Sequence, residues 1–94
     1  MSRKPPTIGF VTALEMERDW IGAESVAEVG GMGRARAEAA AGRLLDRGAG
    51  ALVSWGIAGG LDPDLGPGTV VIPEFVVDGD QGRWFVDADW RDRL

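Results

Sequence analysis

The chain has 94 residues and a formal net charge of −5, with ten Lys and Arg, fifteen Asp and Glu, no Cys and no His. This length provides one modest hydrophobic core and excludes two independent domains. The acidic balance argues against a nucleic-acid partner. The missing residue types exclude disulfides, thiol catalysis, Ser-His-Asp catalysis, and zinc held by Cys or His within this chain. We therefore expect no metal and no cofactor, and any acid–base chemistry must come from carboxylates, Lys or Arg.

Two observations bear on the location of the protein. No stretch approaches the roughly 20 apolar residues that a membrane span needs. The apolar run Ile8–Leu14 is short and meets Glu15 and Glu17 at once, unlike the core of a secretory signal. We expect a cytoplasmic protein with no transmembrane segment.

The first half of the chain alternates short apolar runs with helical patterns. Thr7–Ala13 (TIGFVTA) predicts a strand buried on both faces, and Glu15–Ile21 predicts one or two helical turns. Ser25–Val29 is a weaker strand. Three glycines then precede the clearest helix, Arg34–Arg47, which Gly48 terminates. The predicted apolar face of this helix consists of Ala37, Ala40, Ala41, Leu44 and Leu45.

The second half begins with another apolar strand, Ala51–Ile57 (ALVSWGI), which two glycines end. Turn-forming residues follow, and Thr69–Val77 (TVVIPEFVV) predicts a strong strand whose Pro73 indicates an edge position or a bulge. The remaining pattern predicts a turn at Asp78–Gly82, a short strand at Arg83–Val86, and a helix from Trp90 with Asp89 as its N-cap.

The order strand, glycine turn, helix, strand predicts an α/β fold with a βαβ unit and a parallel sheet. Ligands bind such sheets beyond the carboxyl ends of the strands. Three segments lie there: Thr12–Glu17, Gly30–Arg34 and Gly56–Leu61. Each also has an alternative interpretation as local structure. The acids of the first suit a solvated helical turn, and the glycines of the other two suit tight turns.

Taken together, the three segments resemble one family. WGIAGGLDPDLGPGTVVIP resembles the glycine-rich strand of the nucleoside phosphorylase and nucleosidase superfamily. IGFVTALEMERD resembles the opening strand and acidic turn of the methylthioadenosine/S-adenosylhomocysteine nucleosidases, and GGMGRARAEAA resembles their glycine turn before a helix. The pairing of GGMGRARAEAAAGRLLDRGAGALVSWGIAGGLDPDL with RWFVDADWRDRL is most similar to the hopanoid-associated phosphorylases.

This resemblance covers Thr7–Leu94 and implies that residues 1–94 form the N-terminal portion of one three-layer, mixed-sheet domain, without its C-terminal half. It implies that Glu17 is the catalytic carboxylate that orients the attacking water. It also implies a phosphate-binding role for Arg34 as a minority alternative. The implied substrate-binding positions are Ala13, Leu14, Met32, Gly33, Ala58 and Gly59.

Two departures from the family pattern favour hydrolysis over phosphorolysis. Ile57 stands where the family often has Ser, Thr or Cys, and the first turn lacks the Gly and Arg phosphate clamp of phosphorylases. No residue of the chain matches the ribose-binding Glu or the Asp that protonates the purine. We therefore expect the 94 residues alone to be inactive.

The resemblance implies a fragment of an enzyme that cleaves the N-glycosidic bond of an adenosyl-type nucleoside, in hopanoid biosynthesis, and that forms a homo-oligomer. The alternative is an inactive remnant that binds a ligand weakly or assembles with another chain. A dinucleotide-binding domain is a poorer third choice, because Arg36 occupies the third glycine position of the Gly-x-Gly-x-x-Gly pattern.

Overall fold

The computed structural model describes residues 6–79 and 82–93. The chain divides into two compact units, Met1–Gly59 and Gly60–Leu94, and each contains a separate sheet. In chain order, the elements of the described residues are β1 (Ile8–Thr12), α1 (Glu15–Asp19), β2 (Val26–Val29), α2 (Arg34–Asp46), β3 (Ala51–Ser54), β4 (Phe75–Val77), β5 (Arg83–Phe85) and α3 (Ala88–Arg93).

The first unit is built on a parallel three-stranded sheet with the order β2-β1-β3. The central strand β1 pairs with both neighbours, so that Gly9 lies between Val26 of β2 and Leu52 of β3. The predicted α/β class, βαβ unit and parallel sheet are confirmed. Because all three strands run the same way, their carboxyl ends meet at one edge of the sheet.

Helix α2 packs on β1 and β2 and provides most of the core. Ala40 and Leu44 are completely buried, and Ala49, just beyond the helix, is 9% exposed. A Cβ at Gly9 would lie 3.1 Å from Leu44 Cδ2, so the absent side chain lets the helix lie close to β1. Burial of a leucine side chain of this kind stabilises a fold by roughly 1.5–3 kcal/mol.

The burial pattern corrects two predictions. Leu45 is 56% exposed and Ala37 is also exposed, so the apolar face of α2 is narrower than the spacing indicated. Strand β1, predicted to be buried on both faces, has only buried and half-buried residues, whereas β3 alternates half-buried and exposed residues, with Leu52 37% exposed. The physical reason is that α2 packs mainly against β1 and β2, which leaves β3 with less cover.

The second unit contains the antiparallel pair β4–β5, in which Phe75 lies opposite Phe85 with ring centroids 5.7 Å apart. The strand predicted over Thr69–Val77 is wrong except for its last three residues, which form β4. Pro73 lacks the N–H that a ladder needs, which is consistent with pairing only beyond it. The predicted strand Ala51–Ile57 is likewise too long, because β3 ends at Ser54.

The last helix begins two residues earlier than predicted, and its N-cap is Asp87 rather than Asp89. The Asp87 carboxylate accepts a hydrogen bond of 2.9 Å from the Trp90 N–H, which is the contact that an N-cap makes. Asp89 lies in the first turn, where its charge suits the helix dipole. In the predicted turn Asp78–Gly82, the Asp78 N–H donates to the Gly82 carbonyl at 3.2 Å, and residues 80 and 81 lie outside the described residues.

Among the described helices, none combines the length and the hydropathy that a bilayer crossing requires.

Candidate functional site

A pocket of about 450 Å³ lies in the first unit, where the sheet ends. Its wall comes from three places: the end of β1 with α1, the turn from β2 into α2, and the segment after β3. This volume falls within the range of small-molecule sites. The lining residues are Val11, Thr12, Ala13, Glu17, Gly31, Gly33, Arg34, Ala37, Ser54, Trp55, Gly56, Ile57 and Ala58.

Glu17 is the buried carboxylate of this pocket, with 4% of its surface exposed. Its Oε1 accepts hydrogen bonds from the N–H groups of Ala13 at 3.0 Å and Leu14 at 2.9 Å. Leu14 is the N-cap of α1 and offers no side-chain acceptor, so Glu17 makes only the Glu half of a capping box. The acidic turn therefore closes on itself and directs the Glu17 side chain inward.

The segment after β3 approaches the same carboxylate from the other side. The Ile57 N–H donates to Glu17 Oε2 at 2.9 Å. Gly56 lies so close that an added Cβ would be 2.9 Å from Glu17 Cδ and would collide with Oε2. The position of the carboxylate therefore favours glycine at position 56, since a side chain there would displace the Glu17 carboxylate.

These hydrogen bonds hold the pKa of Glu17 below its ordinary value. The Ile57 N–H has the largest effect, followed by the Leu14 N–H, while loss of hydration opposes them and the Ala13 N–H adds a smaller lowering. Each donor stabilises the charged form of the carboxyl group. Glu17 is consequently an ionised acceptor at neutral pH.

The hydrogen bonds to Glu17 are divided unequally between its two carboxylate oxygens. Among the described residues, two donors use both lone pairs of Oε1, whereas one donor contacts Oε2 and leaves its second lone pair available. That lone pair can accept a hydrogen bond from one water molecule or one substrate hydroxyl. The hydroxyl of Thr12, a residue that is 2% exposed on the same pocket wall, has no hydrogen-bond partner within the described residues.

The N-terminus of α2 forms the opposite part of the wall. Gly33 is its N-cap with φ of 100°, a left-handed conformation that favours glycine, and no side chain caps the helix. The first turn contains no acid, and Arg34 lies on the pocket wall. The N–H groups of a first helical turn and an arginine side chain both favour an anionic or strongly polar ligand group here.

Five of the residues predicted to form the site lie together on the pocket wall: Ala13, Glu17, Gly33, Arg34 and Ala58. The wall formed by the described residues does not include Leu14, Met32 or Gly59. Leu14 nevertheless contacts the carboxylate through its N–H, and Met32 is 69% exposed.

The sequence-based interpretation missed the part played by three positions. Thr12 began a candidate segment but received no role of its own, and Ser54 was not considered, although each is the last residue of its strand, β1 or β3, which was a signal that could have marked it. Ile57 was noted only for the hydroxyl that it lacks, whereas its N–H is what contacts Glu17. In the described parts of the chain, no group of three or more acidic side chains is placed to hold a metal ion.

Comparison with known proteins identifies the family of the chain. The family model described as the phosphorylase superfamily matches residues 10–89, which include the whole pocket wall. Searches of curated proteins and of solved structures each gave no significant match. With the match extending over most of its length, the chain belongs to the phosphorylase superfamily, a family of nucleoside-processing domains.

Proposed function

We propose that this chain provides the water-orienting half of a site that hydrolyses the N-glycosidic bond of an adenosyl-type nucleoside. The observation that carries the proposal is the Glu17 carboxylate, which three main-chain N–H groups fix and which keeps one lone pair on Oε2. The superfamily match supports a nucleoside as the ligand.

In this proposal, Glu17 orients the attacking water and stabilises the positive charge that develops as the water adds to the sugar. Its lowered pKa makes it a weak base, so it accepts a hydrogen bond from the water in the ground state and takes a proton only as the C–N bond breaks. An oxocarbenium-like transition state is also stabilised by a nearby fixed negative charge.

The remaining pocket residues would hold the nucleoside. Ala13, Gly33 and Ala58 offer small side chains and main-chain groups to the ribose and the base. Met32 stands between two pocket glycines, and its exposed side chain is available to an apolar 5′ substituent such as that of a hopanoid. We place the protein in the cytoplasm, with the homo-oligomeric assembly that the family resemblance implies.

The ribose-binding Glu and the purine-protonating Asp match no residue of this sequence. We therefore expect the 94 residues alone to bind a nucleoside without releasing its base. Nuclear magnetic resonance tests binding: 5′-methylthioadenosine should shift the amide signals of Ala13, Gly33 and Ala58 and leave that of Gly48, beyond the opposite end of α2, unmoved. Absence of any shift at the three pocket amides would contradict a nucleoside site.

Glu17→Gln tests the catalytic role. It keeps the size of the side chain and removes its charge, so adenine release by an assembly that supplies the ribose-binding Glu and the purine-protonating Asp should fall about 10²–10⁴-fold in kcat. Glu15→Gln is the matched control, because Glu15 is an exposed acid in the same helical turn. Equal losses in the two variants would show that Glu17 has no special role.

Phosphorolysis is a second candidate, favoured by Arg34 and the uncapped N-terminus of α2 on the pocket wall. If phosphate replaces water, inorganic phosphate should shift the amide signals of Gly33 and Arg34, and Arg34→Ala should abolish the shift. If water is the nucleophile, phosphate should leave both signals unchanged at concentrations that saturate a phosphorylase.

A further inference from the structure

Trp55 makes a hydrogen bond that joins two distant parts of the first unit. Its indole N–H donates to the main-chain carbonyl of Glu17 at 3.1 Å, across 38 positions of sequence. The Trp55 main chain is itself fixed, because its N–H donates to the Val11 carbonyl at 2.9 Å and continues the β1–β3 ladder beyond β3. The indole is thus held by the sheet and reaches α1.

The Trp55 indole supplies the Glu17 carbonyl with a donor that helix α1 itself does not provide. Helix α1 has five residues, and the carbonyls in the last four positions of any helix lack an intrahelical donor. A one-turn helix is marginal without outside contacts. The Trp55 indole therefore anchors the main chain of the residue whose carboxylate lies in the pocket.

Two bonds from one short segment converge on Glu17. Trp55 holds its carbonyl, and Ile57, two residues on, donates its N–H to Oε2 at 2.9 Å. Gly56 between them has no side chain, and the Glu17 carboxylate occupies the space that a Cβ there would need. The position of Oε2 is thus set by the segment 55–57 as well as by the acidic turn that contains Glu17.

We propose that Trp55 is a positioning residue for Glu17, whose indole N–H keeps the Glu17 main chain at the place where the Ile57 N–H meets Oε2. The link to catalysis rests on the proposed function, whereas the positioning itself does not. Trp55 acts through Glu17 and is not a catalytic residue. No pattern in the sequence indicated this role.

Charged groups around the carboxylate stay the same when Trp55 changes. Arg34 faces the pocket from α2, while Glu15, Arg18 and Asp19 lie on α1 itself. The segment after β3 contributes no charged residue between Ser54 and Leu61. A change in the titration midpoint of Glu17 on substitution of Trp55 therefore reports a change in the hydrogen bonds to the Glu17 carboxylate.

Trp55→Phe tests the proposal, since it keeps an aromatic ring and removes the N–H. Carbon NMR of the Glu17 carboxyl group in the 94-residue chain should show its titration midpoint moving upward, toward the ordinary value of a glutamate. Trp20→Phe is the matched control, because Trp20 is 57% exposed beside the same helix and its indole makes no hydrogen bond within the described residues. An unchanged midpoint in folded Trp55→Phe would overturn the proposal.

A measurement on the unaltered chain covers the case in which Trp55→Phe does not fold. The indole N–H of Trp55 should exchange with solvent more slowly than that of Trp20, and its chemical shift should follow the titration of Glu17. Equal exchange of the two indoles would overturn the positioning role. Both readouts are independent of adenine release, so a failed nucleosidase assay would leave this result intact.

Discussion

The carboxylate of Glu17 both stabilises the local fold and faces the pocket. Oε1 satisfies the N–H groups that open α1, and Oε2 accepts the Ile57 N–H while keeping a free lone pair toward the pocket. The local fold and the proposed chemistry therefore depend on the same ionised group. Any condition that protonates Glu17 removes both together.

The pH dependence of stability follows from this. The folded-state pKa of Glu17 lies below its unfolded value, so its stabilising contribution is complete above the unfolded pKa and is lost as pH falls through the folded pKa. Urea unfolding at a series of pH values should show the wild-type chain more stable than Glu17→Gln at neutral pH. The difference should shrink in acid, whereas a constant difference down to about pH 2 would contradict it.

Gly56 provides a second residue-scale prediction. Gly56→Ala places a Cβ against the Glu17 carboxylate and should destabilise the chain by about 1–3 kcal/mol, as overpacking does. Gly59→Ala should change stability by less than about 0.5 kcal/mol, because nothing lies within 4 Å of the added Cβ. Urea unfolding of both variants makes the comparison, and similar losses would contradict a special constraint at Gly56.

The sequence predicted the site in part, and the reason differs between residues. Glu17 follows a buried strand and resembles a family carboxylate, so its place in a pocket could be anticipated. The donor to Oε2 could not, because the Ile57 N–H is a main-chain group that has no residue-type signature. The same holds for the Trp55 indole, whose partner is a carbonyl 38 positions away.

At the scale of elements, α2 holds the first unit together with few side chains. Leu44 is completely buried against β1, whereas its neighbour Leu45 is 56% exposed. Periodicity predicted the helix to within one residue and placed both leucines on the apolar face. Only the position of the sheet, which contacts α2 mainly through β1 and β2, decides which of them is in the core.

This pair gives a matched test of the core. Leu44→Ala should lower the free energy of unfolding by about 2–5 kcal/mol, because it leaves a cavity beside β1. Leu45→Ala makes the same chemical change in the same helix and should cost less than about 0.5 kcal/mol. Thermal or urea unfolding distinguishes them, and comparable losses would show that α2 packs differently from the structure.

The elements that the sequence predicted least well lie in the second unit. Thr69–Val77 has a strong β-branched pattern, yet only Phe75–Val77 pairs. Pattern and propensity describe what a segment prefers when a neighbouring strand is present. Pro73 and the turn around Gly66 and Gly68 limit that pairing, which only the three-dimensional structure reveals.

At the scale of the whole molecule, burial is uneven. Leu44 and Thr12, both in the first unit, are the largest side chains that the described residues bury completely. In the second unit, Val76 and Phe85 of the β4–β5 pair are 53% and 73% exposed. A two-stranded ribbon with so little cover is marginally stable in water.

Hydrogen exchange should detect this contrast. The Val86 N–H donates to the Glu74 carbonyl at 3.1 Å, and the Gly30 N–H donates to the Thr12 main-chain carbonyl at 2.9 Å. The Val86 N–H should exchange at least about tenfold faster than the Gly30 N–H. Amide-resolved NMR of the 94-residue chain measures both after correction for intrinsic rates. Equal protection would show that the second unit shares the stability of the first.

The hydrogen bond from Ile57 to Glu17 also constrains the order of events during synthesis. The two residues are 40 positions apart, so the acidic turn leaves the ribosome well before its last donor. At about 5–20 residues per second, the delay is about 2–8 s. Over that interval the nascent chain lacks the Ile57 donor to Oε2, and the pocket is completed when the segment after β3 emerges and pairs with β1.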